Sequence, residues 1–123
     1  MSPGPSGAGR GAVRAAAAHA APMFAALGDE TRLALVARLC AAGPLSTARL
    51  AEGAAISRQA IAKHLEVLAG AGLVRRGEGG PGRERRWEIE PRRLDEARRA
   101  LEQISRRWDE ALERLRAAVE EEP

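Results

Sequence analysis

Between Pro91 and the C-terminal end, Leu94, Leu101, Trp108 and Leu115 recur at intervals of seven. Ala97, Ile104, Ala111 and Ala118 recur at the same interval, three residues later. Two sevenfold series offset by three mark the a/d seam of a helix that packs on another helix along its length. Leu112 and Val119 widen the seam, and Arg alternating with Glu and Asp fills the remaining positions, where i,i+4 pairs support an exposed face. The short body formed by residues 1–90 lacks the surface to cover such a helix. The seam therefore predicts self-association, with Leu94, Ala97, Leu101, Ile104, Trp108, Leu112 and Leu115 at a homodimer interface and Trp108 as its buried anchor.

Upstream, the periodicity changes repeatedly. Residues 1–11 are Gly, Pro and Ser with a single Arg, too little apolar surface to offset chain entropy, and they are expected to be disordered. Ala-rich residues 12–21 add a helical turn or two, and Pro22 suits the start of a short helix through Phe24 and Leu27. Asp29 caps a second helix in which Leu33, Val36, Ala37 and Cys40 recur at helical spacing, broadened by Leu35 and Leu39, up to the stop at Gly43-Pro44. Ser46 caps a short helix that buries Leu50. Gly53-Ala54-Ala55 makes a turn. Ser57 caps a further helix with Ile61, Leu65 and Leu68 on one stripe, closed by Gly70 and Gly72. Two strands follow, over residues 73–76 and 85–89, joined by the Gly-rich residues 77–82. The resulting fold is mainly α with a small β-hairpin: a disordered or partly helical extension over 1–21, a winged helix-turn-helix over 22–90, and a long helix over 91–123.

Composition narrows the function. The 123 residues carry 20 Lys+Arg and 17 Asp+Glu. Residues 1–90 hold 12 bases against 8 acids, and residues 91–123 hold 8 against 9, so the positive excess lies on the body and the tail is mixed. Phe24, Trp87 and Trp108 are the only aromatics, too few for the stacking platforms that single strands and RNA require. Cys40 is the sole cysteine, so no internal disulfide forms, and with no apolar run of membrane-spanning length the expected setting is reducing and cytoplasmic.

Two short helices joined by a Gly-containing turn form a helix-turn-helix, and the basic hairpin beside it makes a wing. An α-helix fits the major groove, and the N-terminal residues of the second helix reach base edges there. Those residues are Ser57, Arg58, Gln59 and Ala60: Arg matches guanine, Gln matches adenine, and Ala meets a thymine methyl. Lys63 lies one turn on, placed for bases or phosphates. His64 sits at the edge of the apolar stripe and is read two ways, as a DNA contact or as a helix histidine satisfied near the core. Thr47 and Arg49 are candidates for phosphate contacts, and Arg83, Arg85 and Arg86 on the wing for phosphates or a narrow minor groove.

Specific segments carry a family resemblance. Ala26-Leu27-Gly28-Asp29-Glu30-Thr31-Arg32-Leu33 is similar to the "LGDxTRL" opening of ArsR-type winged-helix regulators. Leu50-Ala51, followed by Ile56 to Leu68, resembles that family's recognition segment, and Gly70-Ala71-Gly72-Leu73-Val74 its entry into the wing. The likeness covers roughly residues 22–120 in the family's order. It implies a homodimeric bacterial repressor or activator with the long C-terminal helix in the dimer interface, and steric occlusion of a promoter makes repression the expected mode. Metal-sensing members use cysteine pairs or Asp/His/Glu sets. Here His19, Cys40 and His64 are the whole nitrogen and sulfur inventory and lie in unrelated contexts, short of the three or four ligands a tight site needs. No metal or other cofactor is expected. The tail Arg106 to Arg116 leans toward the metal-independent subgroup often encoded beside small hydrophobic-ligand-binding proteins of the activator-of-Hsp90 type.

Plainer roles stand beside these. Cys40 is expected as a small buried core residue, and the Arg pairs at 92/93, 98/99 and 106/107 as solvated helix surface. A winged helix also serves as a protein–protein adaptor, the competing class, which alanine at Arg58, Gln59 and Lys63 with unchanged DNA binding would favour. An enzyme is the weakest class, since the sequence offers no nucleophile set, no phosphate loop before a helix and no paired-carboxylate spacing, and none is expected.

Overall fold

A computed structural model describes residues 5–77 and 85–121. Helix α1 (Pro5–Leu27) leads to α2 (Glu30–Ala42), strand β1 (Leu45–Ser46), α3 (Thr47–Ala51), α4 (Arg58–Gly70), strands β2 (Val74–Arg76) and β3 (Arg86–Ile89), and the 31-residue α5 (Pro91–Glu121). The architecture is the expected one, mainly helical with a small antiparallel sheet and a long C-terminal helix. β1 was not foreseen. Its two residues pair with β3, Leu45 with Trp87 and Ser46 with Arg86, so the hairpin becomes a three-stranded sheet in the order β1-β3-β2.

The core gathers Met23 from α1, Leu35, Val36 and Leu39 from α2, Leu50 from α3, Ile61, Leu65 and Leu68 from α4, Leu73 and Val74 entering the wing, Trp87 from β3 and Ala97 from α5. The apolar stripe of α2 differs from the expected one. Leu33 is exposed, as are Ala37 and Cys40, while Leu35, Val36 and Leu39 turn inward. The larger Leu pair at i,i+4 takes the interior and rotates the smaller Ala37 and Cys40 outward. Cys40 is therefore a surface thiol, not a core residue.

The N-terminal segment also differs. Residues 5–11 are helical rather than disordered, and α1 passes through Pro22 instead of starting there. Pro22 removes the hydrogen bond to the carbonyl of Ala18. The turns on either side are held by burial of Ala20 and Met23 and by Arg93, whose Nη2 donates to the carbonyl of His19 at 3.2 Å. With that end anchored, the Ala-rich run propagates the helix back to Pro5, a residue suited to the first helical position.

Caps set the other boundaries as expected. The Asp29 carboxylate accepts from the Arg32 N–H, Ser46 Oγ from Arg49 N–H, and Ser57 Oγ from Ala60 N–H. Helix α4 ends in a Schellman turn. Leu73 N–H donates to Leu68 O at 3.0 Å and Gly72 N–H to Ala69 O at 2.9 Å, with Gly72 at φ +79°, where a side chain would also press on Arg93. Arg93 itself is not solvated surface. Its side chain is only 20 % exposed, and besides His19 it donates to Ala71 O at 3.1 Å and to Glu96 at 2.7 Å, joining α1, the end of α4 and α5.

These contacts predict a pH response. The carboxyls of Asp29, Asp95 and Glu96 are held below their ordinary values of 3.8, 3.8 and 4.5: Asp29 by the Arg32 backbone N–H, Asp95 by the Arg98 guanidinium, and Glu96 by Arg93 and then His19. A carboxyl whose folded pKa is depressed adds stability that is present above its unfolded value and is lost as pH falls through the folded one. Urea denaturation followed from neutral pH down to about pH 3 should show stability falling below pH ~4.5. An Asp29→Asn variant should show a shallower fall, and a slope identical to the parent would rule out a contribution from this cap.

Candidate nucleic-acid interface

The positions of Ile61, Leu65 and Leu68 decide which way α4 faces. All three are buried on one side, so Gln59 and Lys63 stand on the opposite side of the helix, with Arg58 exposed in its first turn. Among the described residues, Arg58 and Lys63 form no ion pair. Gln59 and Lys63 thus share the outward face of α4, and Arg58 extends into solvent from its first turn; together they are donors of the kind that read adenine, phosphate and guanine. Ala60 is half-buried beside them. Ser57 is exposed, but its hydroxyl oxygen accepts from the Ala60 N–H at 3.1 Å as the helix cap.

The first helix of the pair is fixed from two directions. The Arg38 guanidinium donates to the carbonyls of Arg49 and Leu50 at 3.0 and 3.1 Å, capping the end of the five-residue α3. At the other end, the buried indole N–H of Trp87 donates to Thr47 Oγ at 3.0 Å, tying α3 to the wing. Thr47 therefore has a structural partner that the sequence did not reveal. Its hydroxyl proton remains available, since a hydroxyl both accepts and donates. Arg49 is exposed, 3.7 Å from Glu52.

The base of the wing is braced on the recognition helix. The Arg76 guanidinium lies 4.8 Å over the Trp87 ring and donates to Glu66 of α4 at 3.3 Å. Across the sheet, Arg75 pairs with Glu88 at 2.8 Å and with Glu90 at 2.5 Å, which raises the pKa of Arg75 further above its ordinary value. Arg86 is exposed at the first position of β3, and Arg85 is exposed just before it. Arg83 and the Gly-rich loop tip lie outside the described residues.

His64 departs from the surface set. It is half-buried, with Nδ1 3.3 Å from Arg32 Nη1 and 3.9 Å from Asp29 Oδ2. This placement sets the ring against the body of the domain, at the edge of the surface set. Arg32, Arg38 and Arg93 are residues that pattern analysis passed over, because a clamping arginine and a solvated one look alike in sequence. The LGDxTRL likeness was the only pointer to Arg32.

The expected interface residues divide into two groups. Ala97 is buried in the core of its own protomer and Leu94 packs against that core, because α1 and the wing entry converge on the first turns of α5. Leu101, Ile104, Trp108, Leu112 and Leu115 are exposed, Trp108 at 64 %. Among the described residues, no group of three or more His, Cys, Asp or Glu side chains is arranged to hold a metal ion, and no helix is long and apolar enough to cross a membrane.

A helix-turn-helix with an outward polar recognition helix, a braced wing and a long terminal helix defines a DNA-binding winged-helix regulator. Residues 27–77 match the helix-turn-helix domain family. The HTH-type transcriptional regulator Rv2034 of Mycobacterium tuberculosis (strain ATCC 25618 / H37Rv) is 39 % identical over 87 residues, 71 % of this chain and 76 % of that protein. The solved structure of an ArsR-like transcriptional regulator from Rhodococcus sp. RHA1 is 40 % identical, covers 82 % of this chain and 92 % of its own, and superposes with a TM-score of 0.66. Another ArsR family regulator of known structure is 27 % identical, covers 74 % and 91 % respectively, and has a TM-score of 0.62. The chain belongs to the ArsR family of helix-turn-helix transcriptional regulators, whose members bind DNA and are not enzymes.

The Trp87–Thr47 bond can be tested directly. Thr47→Val keeps the shape but strands a buried indole N–H, and should cost about 1–3 kcal/mol in urea denaturation. Thr47→Ser should retain most of the stability. Equal stability of the Val and Ser variants would show that the bond contributes nothing.

Proposed function

We propose that this regulator acts as a homodimeric, sequence-specific repressor that works without sensing a metal. The observation that carries the reading is the ridge of Leu101, Ile104, Trp108, Leu112 and Leu115 on α5, apolar, contiguous at helical spacing and left uncovered by its own protomer. A soluble chain rarely leaves so much apolar surface open unless a partner covers it. A second α5 offers a surface of the same length and pattern, and an isologous contact buries the ridge on both copies. Leu94 and Ala97 then serve the root of the helix, and the ridge begins at Leu101.

Pairing through α5 sets two α4 helices on one side of a dimer. Spaced about 34–36 Å apart, they would enter successive major grooves of a palindromic site. Arg58 and Gln59 are assigned to base edges and Lys63 to a base or phosphate. Thr47, Arg49, Ser57 and the wing arginines Arg83, Arg85 and Arg86 are assigned to the backbone, and Ala60 to a thymine methyl. Occupation of a promoter by such a dimer blocks transcription by exclusion. Metal independence rests on the donor set: His19 is engaged with Glu96 at 2.7 Å, His64 lies with Arg32 and Asp29, and Cys40 is on the outer face of α2. A single free thiol, Cys40, suits a reducing compartment shared with the DNA.

The dimer assignment is tested by Leu101→Glu/Ile104→Glu, which should sediment as a folded monomer with an unchanged far-ultraviolet spectrum per residue. A dimer of undiminished affinity would refute it. Sequence-specific binding is tested by fluorescence anisotropy on a duplex selected from a random pool, against its shuffled counterpart, over a salt series. The selected duplex should bind at least about 10³-fold more tightly. Log affinity should fall with log salt with a slope of about 0.9 per phosphate neutralised. Equal affinities for both duplexes would contradict the reading.

A further inference from the structure

His64 stands in the second turn of the recognition helix, one residue past Lys63, yet its ring is turned toward the body. Arg32 makes three bonds at this corner. Its backbone N–H donates to Asp29 Oδ2 at 3.0 Å, its Nε donates to the carbonyl of Ala26 at 2.5 Å, and its Nη1 lies 3.3 Å from His64 Nδ1. A guanidinium has five N–H donors and no acceptor. The hydrogen bond to Nδ1 therefore exists only if Nδ1 is unprotonated, which places the proton of the neutral ring on Nε2. The other tautomer would need an acceptor facing Nδ1. Asp29 Oδ2, at 3.9 Å, is beyond hydrogen-bond reach and already accepts from the Arg32 backbone. Arg32 thus selects one tautomer of His64, and through it links the last turn of α1, the first turn of α2 and the second turn of α4.

We infer that His64 is a positioning residue of the recognition helix: as the Nε2-protonated neutral ring it accepts from Arg32 and pins α4 to the corner between α1 and α2, instead of contacting DNA itself. The inference rests on the DNA-binding reading of α4 for its consequence, but its structural part can be tested on the free protein. Arg58, Gln59 and Lys63 keep their spacing to one another on a single helix whatever α4 does. Loosening the pin changes the angle at which all of them meet the groove, so discrimination falls across the half-site and not at one base pair.

Three measurements decide it. Long-range proton–nitrogen NMR of the free protein at about pH 8, where an ordinary imidazole is neutral, should show a pyridine-type Nδ1 and a pyrrole-type Nε2 for His64. That preference should weaken in Arg32→Ala. The opposite tautomer in the parent protein would overturn the proposal whatever the DNA measurements show. His64→Ala should lower affinity for the selected duplex by about tenfold, while the salt slope stays that of the parent, because a neutral ring neutralises no phosphate. His64→Asn, whose Oδ1 takes the place of Nδ1 as acceptor, should recover most of that loss. Loss of specificity confined to one base pair, a reduced salt slope, or an Asn variant as weak as the Ala variant would make His64 a DNA contact and refute its positioning role. If no variant and no parent protein discriminates between duplexes while the tautomer is as stated, the DNA reading fails and the Arg32–His64 pin stands.

Discussion

Burial of Ile61, Leu65 and Leu68 fixes the rotation of α4 about its axis, and with it every side chain the protein can show to a groove. A three-residue stripe at i, i+4 and i+7 gives a helix one stable orientation on a core, because turning it exposes apolar area on one side and desolvates charge on the other. Leu65 and Leu68 are fully buried, and the residues opposite them are Gln59, Lys63 and Glu66. The polar surface of α4 is thus a consequence of packing. Ser57 begins the helix at the point that leaves Arg58 and Gln59 in its first turn, where a groove-binding helix presents its tip.

Arginine holds the arrangement rigid. Arg38 supplies the donors that the carbonyls at the end of α3 lack, which matters for a five-residue helix with little intrinsic stability. Arg32 works at the start of α2, and Arg93 where α1, α4 and α5 meet. All three donate to backbone carbonyls at or near helix ends, a role that suits a forked, always charged group with no acceptor of its own. Trp87 adds the remaining brace, between α3 and the wing, and gives Arg76 an aromatic face to rest on. The recognition helix, the wing base and the root of α5 are consequently parts of one bonded frame.

Much of this was legible in the sequence, because caps and apolar stripes act locally. Asp29, Ser46 and Ser57 mark three helix starts where the side chains do cap, and Gly72 marks a turn that only a left-handed residue closes well. The sevenfold repeat identified α5, and the polar face of α4 followed from its stripe. What escaped depended on contacts distant in sequence. Pro22 looked like a helix start, because nothing nearby shows that Arg93, more than seventy residues on, holds the His19 carbonyl. Cys40 looked buried because the choice between two overlapping stripes on α2 is made by the neighbours of Leu35 and Leu39. β1 is two residues long and exists only by pairing with β3. Leu94 and Ala97 fit the sevenfold pattern as well as Leu101 does, and only the tertiary fold separates the root of the helix from its free ridge.

The central claim, that the outward face of α4 is what meets DNA, is tested most directly by an Arg58→Ala/Gln59→Ala/Lys63→Ala variant measured on the selected duplex. These residues are exposed and hold no part of the core, so thermal midpoint and solution mass should match the parent. Affinity should fall to the level of the shuffled duplex, with each base-reading side chain accounting for about 1–3 kcal/mol of discrimination. A variant that binds the selected duplex as tightly as the parent would contradict the account and move the DNA-binding surface off α4.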